Sequence, residues 1–275
     1  MFTTLKAKIQ KDIHFAELIK GSGIAFVFKI LGIICGYVFT LLVTRTLGAE
    51  AWGIFTLSFT VLQITSVIGR LGMDTALLRF VAEYSSQGKW DLVREVYLKA
   101  LKLVIPFSLT LSLTLFFLSP YIAKYVFHKD YLSNSFRFIS VAIVPFVLLF
   151  INSESLRGLK KIKEYTFFQN VGISLFASIT LIVLFFLCKK DYIPVLAYMI
   201  SIFVIFTLSL LFWLKNLKFK IQLLQSPTFT PSTTSTTFTT SKTSKISKTS
   251  YKYLLSVSIP MLLSSSLSVF YYAMD

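Results

Sequence analysis

The sequence predicts an all-α polytopic integral membrane protein. Of its 275 residues, 55% are hydrophobic and only 15% are charged, whereas a soluble domain usually carries about 25% charged residues. Mean hydropathy is +0.73, and seven apolar stretches approach or exceed the roughly 20 residues that a helix needs to cross a bilayer core. The 28 Phe residues are more than one soluble core can place and fit side chains that face lipid. A soluble enzyme is therefore excluded.

Hydropathy places each membrane helix in turn. The predicted spans are 23–46, 53–80, 96–118, 134–156, 166–188, 192–214 and 253–275. Residues 1–22 mix lysines with acidic residues and lack the small-residue cleavage site of a signal peptide. They are predicted to be an N-terminal segment that precedes the first span.

The distribution of Lys and Arg predicts which side of the membrane each loop occupies. Eighteen of the 28 lie in residues 1–22, 81–100, 157–164 and 215–252, and five lie on the opposite side. Basic loops stay in the cytoplasm, so the N-terminus is predicted to be cytoplasmic. The net charge of +16 then reflects topology, and no nucleic-acid partner is expected.

The chain divides into four segments. After residues 1–22 comes a six-helix transmembrane unit, 23–214. Residues 215–252 are rich in Ser, Thr and Lys and cannot bury enough apolar surface to order themselves, so they are predicted to be a disordered cytoplasmic linker. Residues 253–275 are expected to be a truncated seventh helix, because the chain stops inside an apolar stretch with no polar flank.

Polar residues inside the membrane helices are the candidates for function. At 100° per residue, six polar side chains of the second span fall within an arc of about 120°. They are Thr56, Thr60, Gln63, Ser66, Arg70 and Asp74. The stripe is predicted to line a water-filled cavity, the alternative being a packing ion pair of Arg70 with Asp74, which are four residues apart.

Other polar groups have two interpretations each. Lys29 in the first span either faces the cavity or extends to the headgroups, and Gly32 and Gly36 are expected to let another helix approach its face. Glu154 with the nearby Gln169 forms either a gate or an ordinary interface cluster. No phosphate-binding glycine loop, metal site or cofactor is predicted, and the chain is not expected to be an enzyme.

Four segments together resemble the polysaccharide flippase branch of the multidrug/oligosaccharidyl-lipid/polysaccharide exporter superfamily, related to Wzx-type flippases. Residues 42–48 with Trp52 and Gly53 are similar to the family's end of helix one, and 71–80 (LGMDTALLRF) to its helix-two signature. Residues 157–161 with Tyr165 are similar to its basic turn between helices four and five, and 254–260 to the opening of helix seven. The positions that carry the resemblance are Arg45, Gly48, Gly53, Gly72, Arg79, Arg157, Gly158 and Pro260.

The resemblance implies a MATE-like transporter of two six-helix lobes, of which this chain holds the N-terminal lobe and the start of helix seven. Such proteins are thought to move polyprenyl-pyrophosphate-linked oligosaccharides from the inner to the outer leaflet of the cell membrane by alternating access. Glycosyltransferases or a polymerase of the same pathway are the implied protein partners.

Roles for the candidate residues follow from that implied substrate. Arg70 and Lys29 would contact phosphate, and the Thr, Gln and Ser side chains of the stripe would bond sugar hydroxyls. Asp74 would hold Arg70 in place or bind a coupling H⁺ or Na⁺. The alternatives are a MATE-type drug/cation antiporter, a non-functional or partner-dependent half transporter, and a membrane glycosyltransferase that uses a polyprenyl carrier.

Overall fold

A computed structural model describes residues 13–128, 132–187, 192–225 and 254–262. Within these ranges the chain is helical, with no strand. The helices are α1 (Ile13–Thr46), α2 (Gly48–Arg70), α3 (Met73–Ser86), α4 (Trp90–Tyr121), α5 (Leu132–Gly158), α6 (Ile162–Thr166), α7 (Ile173–Leu187), α8 (Ile193–Gln225) and α9 (254–262).

Six stretches of the described chain are long and apolar enough to cross a membrane, which confirms the all-α membrane fold. They are Gly21–Thr46, Gly48–Arg70, Trp90–Tyr125, Leu132–Gly158, Ile162–Phe186 and Ile193–Leu217. The predicted seventh span, 253–275, begins with the helix 254–262, and its remainder lies outside the described residues.

Two of the predicted boundaries need correction. Helix α1 begins at Ile13, inside the predicted N-terminal segment, and α8 continues to Gln225, inside the predicted linker. Hydropathy marks where a helix becomes polar, but a helix can continue past that point because its backbone hydrogen bonds do not depend on apolar side chains. The rest of the predicted linker, 226–252, lies outside the described residues.

The second predicted span, 53–80, is not one helix. Helix α2 ends at Arg70 and α3 begins at Met73, because Leu71 and Gly72 have φ values of 52° and 67°. Two successive left-handed residues cannot continue a right-handed helix. The prediction of a single helix through this region is therefore wrong, although the apolar pattern continues through the break.

Helix α5 is the centre of the bundle. It packs against α2, α3, α4 and α8 and buries large side chains such as Phe136, Phe146 and Ile151. The outer helices instead expose aromatic and aliphatic side chains, among them Phe26 and Ile33 of α1 and Phe186 of α7. This arrangement suits a bundle with lipid outside it.

A π-helical segment, Phe167–Gly172, joins α6 to α7. Helix α1 crosses it closely, since a Cβ added at Gly32 would lie 2.6 Å from the Asn170 carbonyl oxygen. The close approach predicted at Gly32 is thus confirmed. The same prediction is wrong for Gly36, which has no neighbouring atom within 4 Å of an added Cβ.

Candidate functional site

A salt bridge joins the two helices on either side of the α2–α3 break. Arg70 Nη1 lies 3.0 Å from Asp74 Oδ2, and the two side chains are 12% and 11% exposed. Arg70 Nε–H also donates to the Ser66 carbonyl oxygen at 3.3 Å, and Asp74 Oδ1 accepts the Thr75 backbone N–H at 2.9 Å. The predicted pair exists, but it spans a break in the chain rather than one turn of a continuous helix.

Helix α5 forms the other side of this ion pair. The Phe150 ring lies under the Arg70 guanidinium, with Cζ 4.3 Å from the ring centroid. One turn further along α5, on the same helix face as Phe150, the Glu154 carboxylate accepts a hydrogen bond from Gln169 Nε2 at 3.2 Å. Arg70 is therefore held between a carboxylate of α3 and an aromatic face of α5.

Arg157 closes the group at its more exposed edge. Its Nη1 lies 3.4 Å from Glu154 Oε2, its side chain is 50% exposed, and Glu154 is 13% exposed. Its guanidinium also lies 5.1 Å from the Tyr165 ring centroid. We call Arg70, Asp74, Glu154, Arg157 and Gln169 the polar cluster.

The polar cluster is balanced in charge, with two guanidinium groups and two carboxylates. In such an arrangement an arriving anion can replace a carboxylate beside Arg70, while a proton or a metal cation can neutralise the carboxylate that is released. Among the described residues no three His, Cys, Asp or Glu side chains lie close enough to hold a metal ion.

The rest of the predicted polar stripe is spread over different surroundings. Ser66 is buried, and its hydroxyl donates to the Gln63 carbonyl oxygen at 2.9 Å. Gln63 is half-buried, whereas Thr56 and Thr60 are exposed and donate to carbonyl oxygens of their own helix. Thr56 and Thr60 lie 14 and 10 residues from Arg70, or about 21 and 15 Å along the helix axis.

Lys29 is not part of the polar cluster. It is exposed on α1, a helix whose main contacts are with α2 and with the α6–α7 region. The structure thus pairs Arg70 with Asp74 beside the α5 face that carries Phe150 and Glu154, whereas Lys29 is exposed on α1.

The positions that carry the family resemblance have different structural roles. Gly48 has φ 88° at the α1–α2 turn. A Cβ added at Gly72 would lie 2.3 Å from the Ser258 carbonyl oxygen, and one at Gly158 would lie 3.0 Å from the Leu78 carbonyl oxygen. Arg45, Gly53, Arg79 and Pro260 are exposed.

The sequence did not reveal that the α5 face with Phe150 and Glu154 packs beside Arg70. Glu154 and Gln169 were predicted to form a group of their own, and Phe150 was not singled out. Phe150 and Glu154 follow Arg70 by 80 and 84 residues along the chain, and one sequence gives no distance across such an interval. The available signal was the spacing of Phe150 and Glu154 by four residues, which places both on one face of a helix.

A second buried polar group lies between α4, α5 and α8. Tyr97 Oη donates to Asn152 Oδ1 at 2.6 Å, and the Tyr97 ring lies 4.9 Å from the Trp213 ring. Asn152 Nδ2 and Trp213 Nε1 are buried without a hydrogen-bond partner among the described residues.

Comparison with known proteins gives one family. The family model described as polysaccharide biosynthesis protein matches residues 18–275. No curated protein and no solved structure matches the chain.

Proposed function

Because the chain belongs to the polysaccharide biosynthesis protein family, we propose that it moves polyprenyl-pyrophosphate-linked oligosaccharide from the inner to the outer leaflet of the cell membrane by alternating access. This is a family of membrane transporters or flippases for polysaccharide precursors, not of enzymes. The part of the chain that the structure describes contains six helical stretches of membrane length, which is consistent with a membrane transporter. Glycosyltransferases or a polymerase that make and consume the precursor are the partners in this proposal.

The observation that carries the proposal is the Arg70–Asp74 ion pair within the bundle. The two side chains are only 12% and 11% exposed and lie at the end of a membrane-length helix. Burying ionisable groups there costs stability, and such groups are therefore candidates for function. A sugar pyrophosphate is anionic and strongly hydrated, so it crosses the bilayer core unaided only at great cost. A guanidinium offers it charge-assisted hydrogen bonds in a fixed fork geometry.

The carboxylates of the polar cluster supply the coupling step in this proposal. When phosphate takes the place of Asp74 beside Arg70, the released carboxylate, which is only 11% exposed, loses the cation that balances its charge. Binding a proton or Na⁺ neutralises that carboxylate. Loading of the substrate and uptake of the coupling ion are then linked through one guanidinium.

In this proposal the cytoplasmic side is the end of the bundle that carries the basic turns. Two adjoining cavities lie at one end of the bundle and are lined by Gly21, the C-terminal end of α3, Trp90, the α5–α6 turn and Asn216. Reporter fusions placed before residue 13 and in the α3–α4 turn should both report the cytoplasm. A signal from the opposite side of the membrane at either position would contradict the orientation.

The test of function removes both charges of the ion pair together. The double variant Arg70→Gln/Asp74→Asn removes one charge of each sign and leaves Glu154 paired with Arg157, so no buried charge loses its partner and the bundle should still fold. In a strain that lacks its own oligosaccharide flippase, we expect the double variant to restore surface polysaccharide about 10- to 100-fold less well than the wild-type chain, which corresponds to about 1.5–3 kcal/mol for hydrogen bonds to a charged group.

The matched control is Arg94→Gln, which removes an exposed charge at the start of α4 and should leave activity unchanged. Full activity of the Arg70/Asp74 double variant would refute the phosphate contact. If the wild-type chain itself restores no polysaccharide, the alternative of a partner-dependent half transporter is favoured.

The drug/cation antiporter is the second candidate, and the presence of two carboxylates in the polar cluster favours it. In that case Asp74→Asn and Glu154→Gln would lower resistance to cationic drugs and leave surface polysaccharide unchanged. The opposite pattern supports the flippase.

A further inference from the structure

A basic cavity lies at the end of the bundle where the α3–α4 and α5–α6 turns meet. It has a volume of about 440 Å³ and is lined by α3, the α5–α6 turn and Asn216 of α8. We call this whole cavity the basic cavity, because Arg157, Lys160 and Lys161 are in its lining. A second cavity of about 400 Å³ adjoins it and shares Arg157 and Lys160.

Among the described residues no acidic side chain lines either cavity. Arg157 is partly neutralised by Glu154 of the polar cluster. Lys161 is held differently, because its Nζ donates to Asn216 Oδ1, a neutral group. The described lining of the basic cavity thus contains three cationic side chains and no carboxylate, which favours an anion.

The backbone at Lys160 places a lysine where glycine is normally preferred. The Lys160 N–H donates to the Arg157 carbonyl oxygen at 2.9 Å and the Lys161 N–H to that of Leu156 at 3.0 Å, the pattern of a Schellman motif. Lys160 has φ 60°, a left-handed conformation in which a side chain is strained. Lysine at this position lowers stability relative to glycine and adds a cation to the cavity wall.

An apolar groove begins next to the basic cavity. It has a volume of about 370 Å³ and is lined by the apolar side chains of Phe28, Phe167, Phe168, Leu208 and Phe212, with the oppositely charged Lys163 and Glu164 at one part of its wall. The two sites meet at Phe212, whose ring centroid lies 5.2 Å from Lys161 Nζ. Leu208 on the groove wall is 40% exposed on the outer surface of the bundle, so a chain lying in the surrounding bilayer has direct access.

We propose that the basic cavity binds the phosphate headgroup of an anionic bilayer phospholipid, with an acyl chain of the same lipid in the apolar groove. The local positive charge selects against a zwitterionic headgroup, whose own cation would meet the lysines. The adjoining groove favours a lipid over soluble phosphate, because inorganic phosphate has no apolar chain that could occupy the groove. The groove opens outward, which favours a lipid of the surrounding bilayer as the source.

The experiment measures lipid binding to the purified chain in detergent by native mass spectrometry. The probes are phosphatidylglycerol, phosphatidylcholine, polyprenyl phosphate and inorganic phosphate. We expect phosphatidylglycerol to bind best, and Lys160→Gln and Lys161→Gln each to weaken it about fivefold, as for the loss of one cation at an anionic membrane surface. Lys89→Gln is the matched control, since Lys89 is exposed in the α3–α4 turn and lines neither cavity.

Lys160→Gly separates binding from folding, because it relieves the left-handed strain while it removes the cation. We expect this variant to melt at a higher temperature and to bind phosphatidylglycerol as weakly as Lys160→Gln. Equal binding of phosphatidylcholine, or unchanged binding by the lysine variants, would overturn the proposal. Preferred binding of polyprenyl phosphate would overturn the choice of a bilayer phospholipid, and competition by inorganic phosphate alone would overturn the role of the groove.

Discussion

The buried hydrogen bond between Tyr97 and Asn152 allows a quantitative test of the packing between α4 and α5. Tyr97→Phe removes the donor of a 2.6 Å bond and keeps the ring against Trp213. The amide of Asn152 would then have neither of its polar atoms paired among the described residues, because Nδ2 already lacks a partner. Stranding a buried acceptor costs about 1–3 kcal/mol, and bonds inside membrane bundles average about 0.6 kcal/mol, so we expect a loss of about 1 kcal/mol.

The companion variants separate the hydrogen bond from simple packing. Asn152→Leu leaves only the Tyr97 hydroxyl without a hydrogen-bond partner and removes the unpaired Nδ2, so it should lower the free energy of unfolding by less than Tyr97→Phe does. The double variant leaves neither group unpaired and should be close to the wild type in stability. Unfolding in mixed micelles of detergent and sodium dodecyl sulfate, followed by circular dichroism, gives the free energy of unfolding of each. A double variant as unstable as the sum of the single variants would refute this reasoning.

Three further substitutions test the backbone contacts in the same unfolding assay. Gly32→Ala should destabilise the bundle by about 1–3 kcal/mol, because the added Cβ would lie 2.6 Å from the Asn170 carbonyl oxygen and overpack that contact. The control is Gly36→Ala, whose added Cβ has no described atom of another segment within 4 Å. This control should stabilise α1 by up to about 1 kcal/mol. Gly72→Ala should cost at least about 1–2 kcal/mol because of its positive φ alone, and equal stability with the wild type would contradict the left-handed break. Lys160→Gly should raise stability by about 0.5–1 kcal/mol, and a fall would mean that Lys160 does not have φ 60° in solution.

The sequence determined the class of fold because the hydrophobic effect acts on each segment separately. A run such as 192–214 must lie in lipid whatever its neighbours do, so composition and length were enough to predict the membrane-length spans that the structure describes. Motif spacing was likewise enough to indicate the family. The pairing of Arg70 with Asp74 was predicted from helical spacing, and it forms although the helix breaks between the two residues.

Tertiary structure decided what depends on contacts between distant segments. The left-handed break at Leu71 and Gly72 interrupts a sequence that reads as one apolar helix, and at Gly72 a Cβ would meet the Ser258 carbonyl oxygen of α9. Phe150 lies against Arg70, with Glu154 one turn further along the same helix, only because α5 packs at the centre of the bundle against both α2 and α3. Hydropathy is a property of single segments, whereas these contacts depend on how helices separated by many residues approach one another, and one sequence carries no measure of that distance.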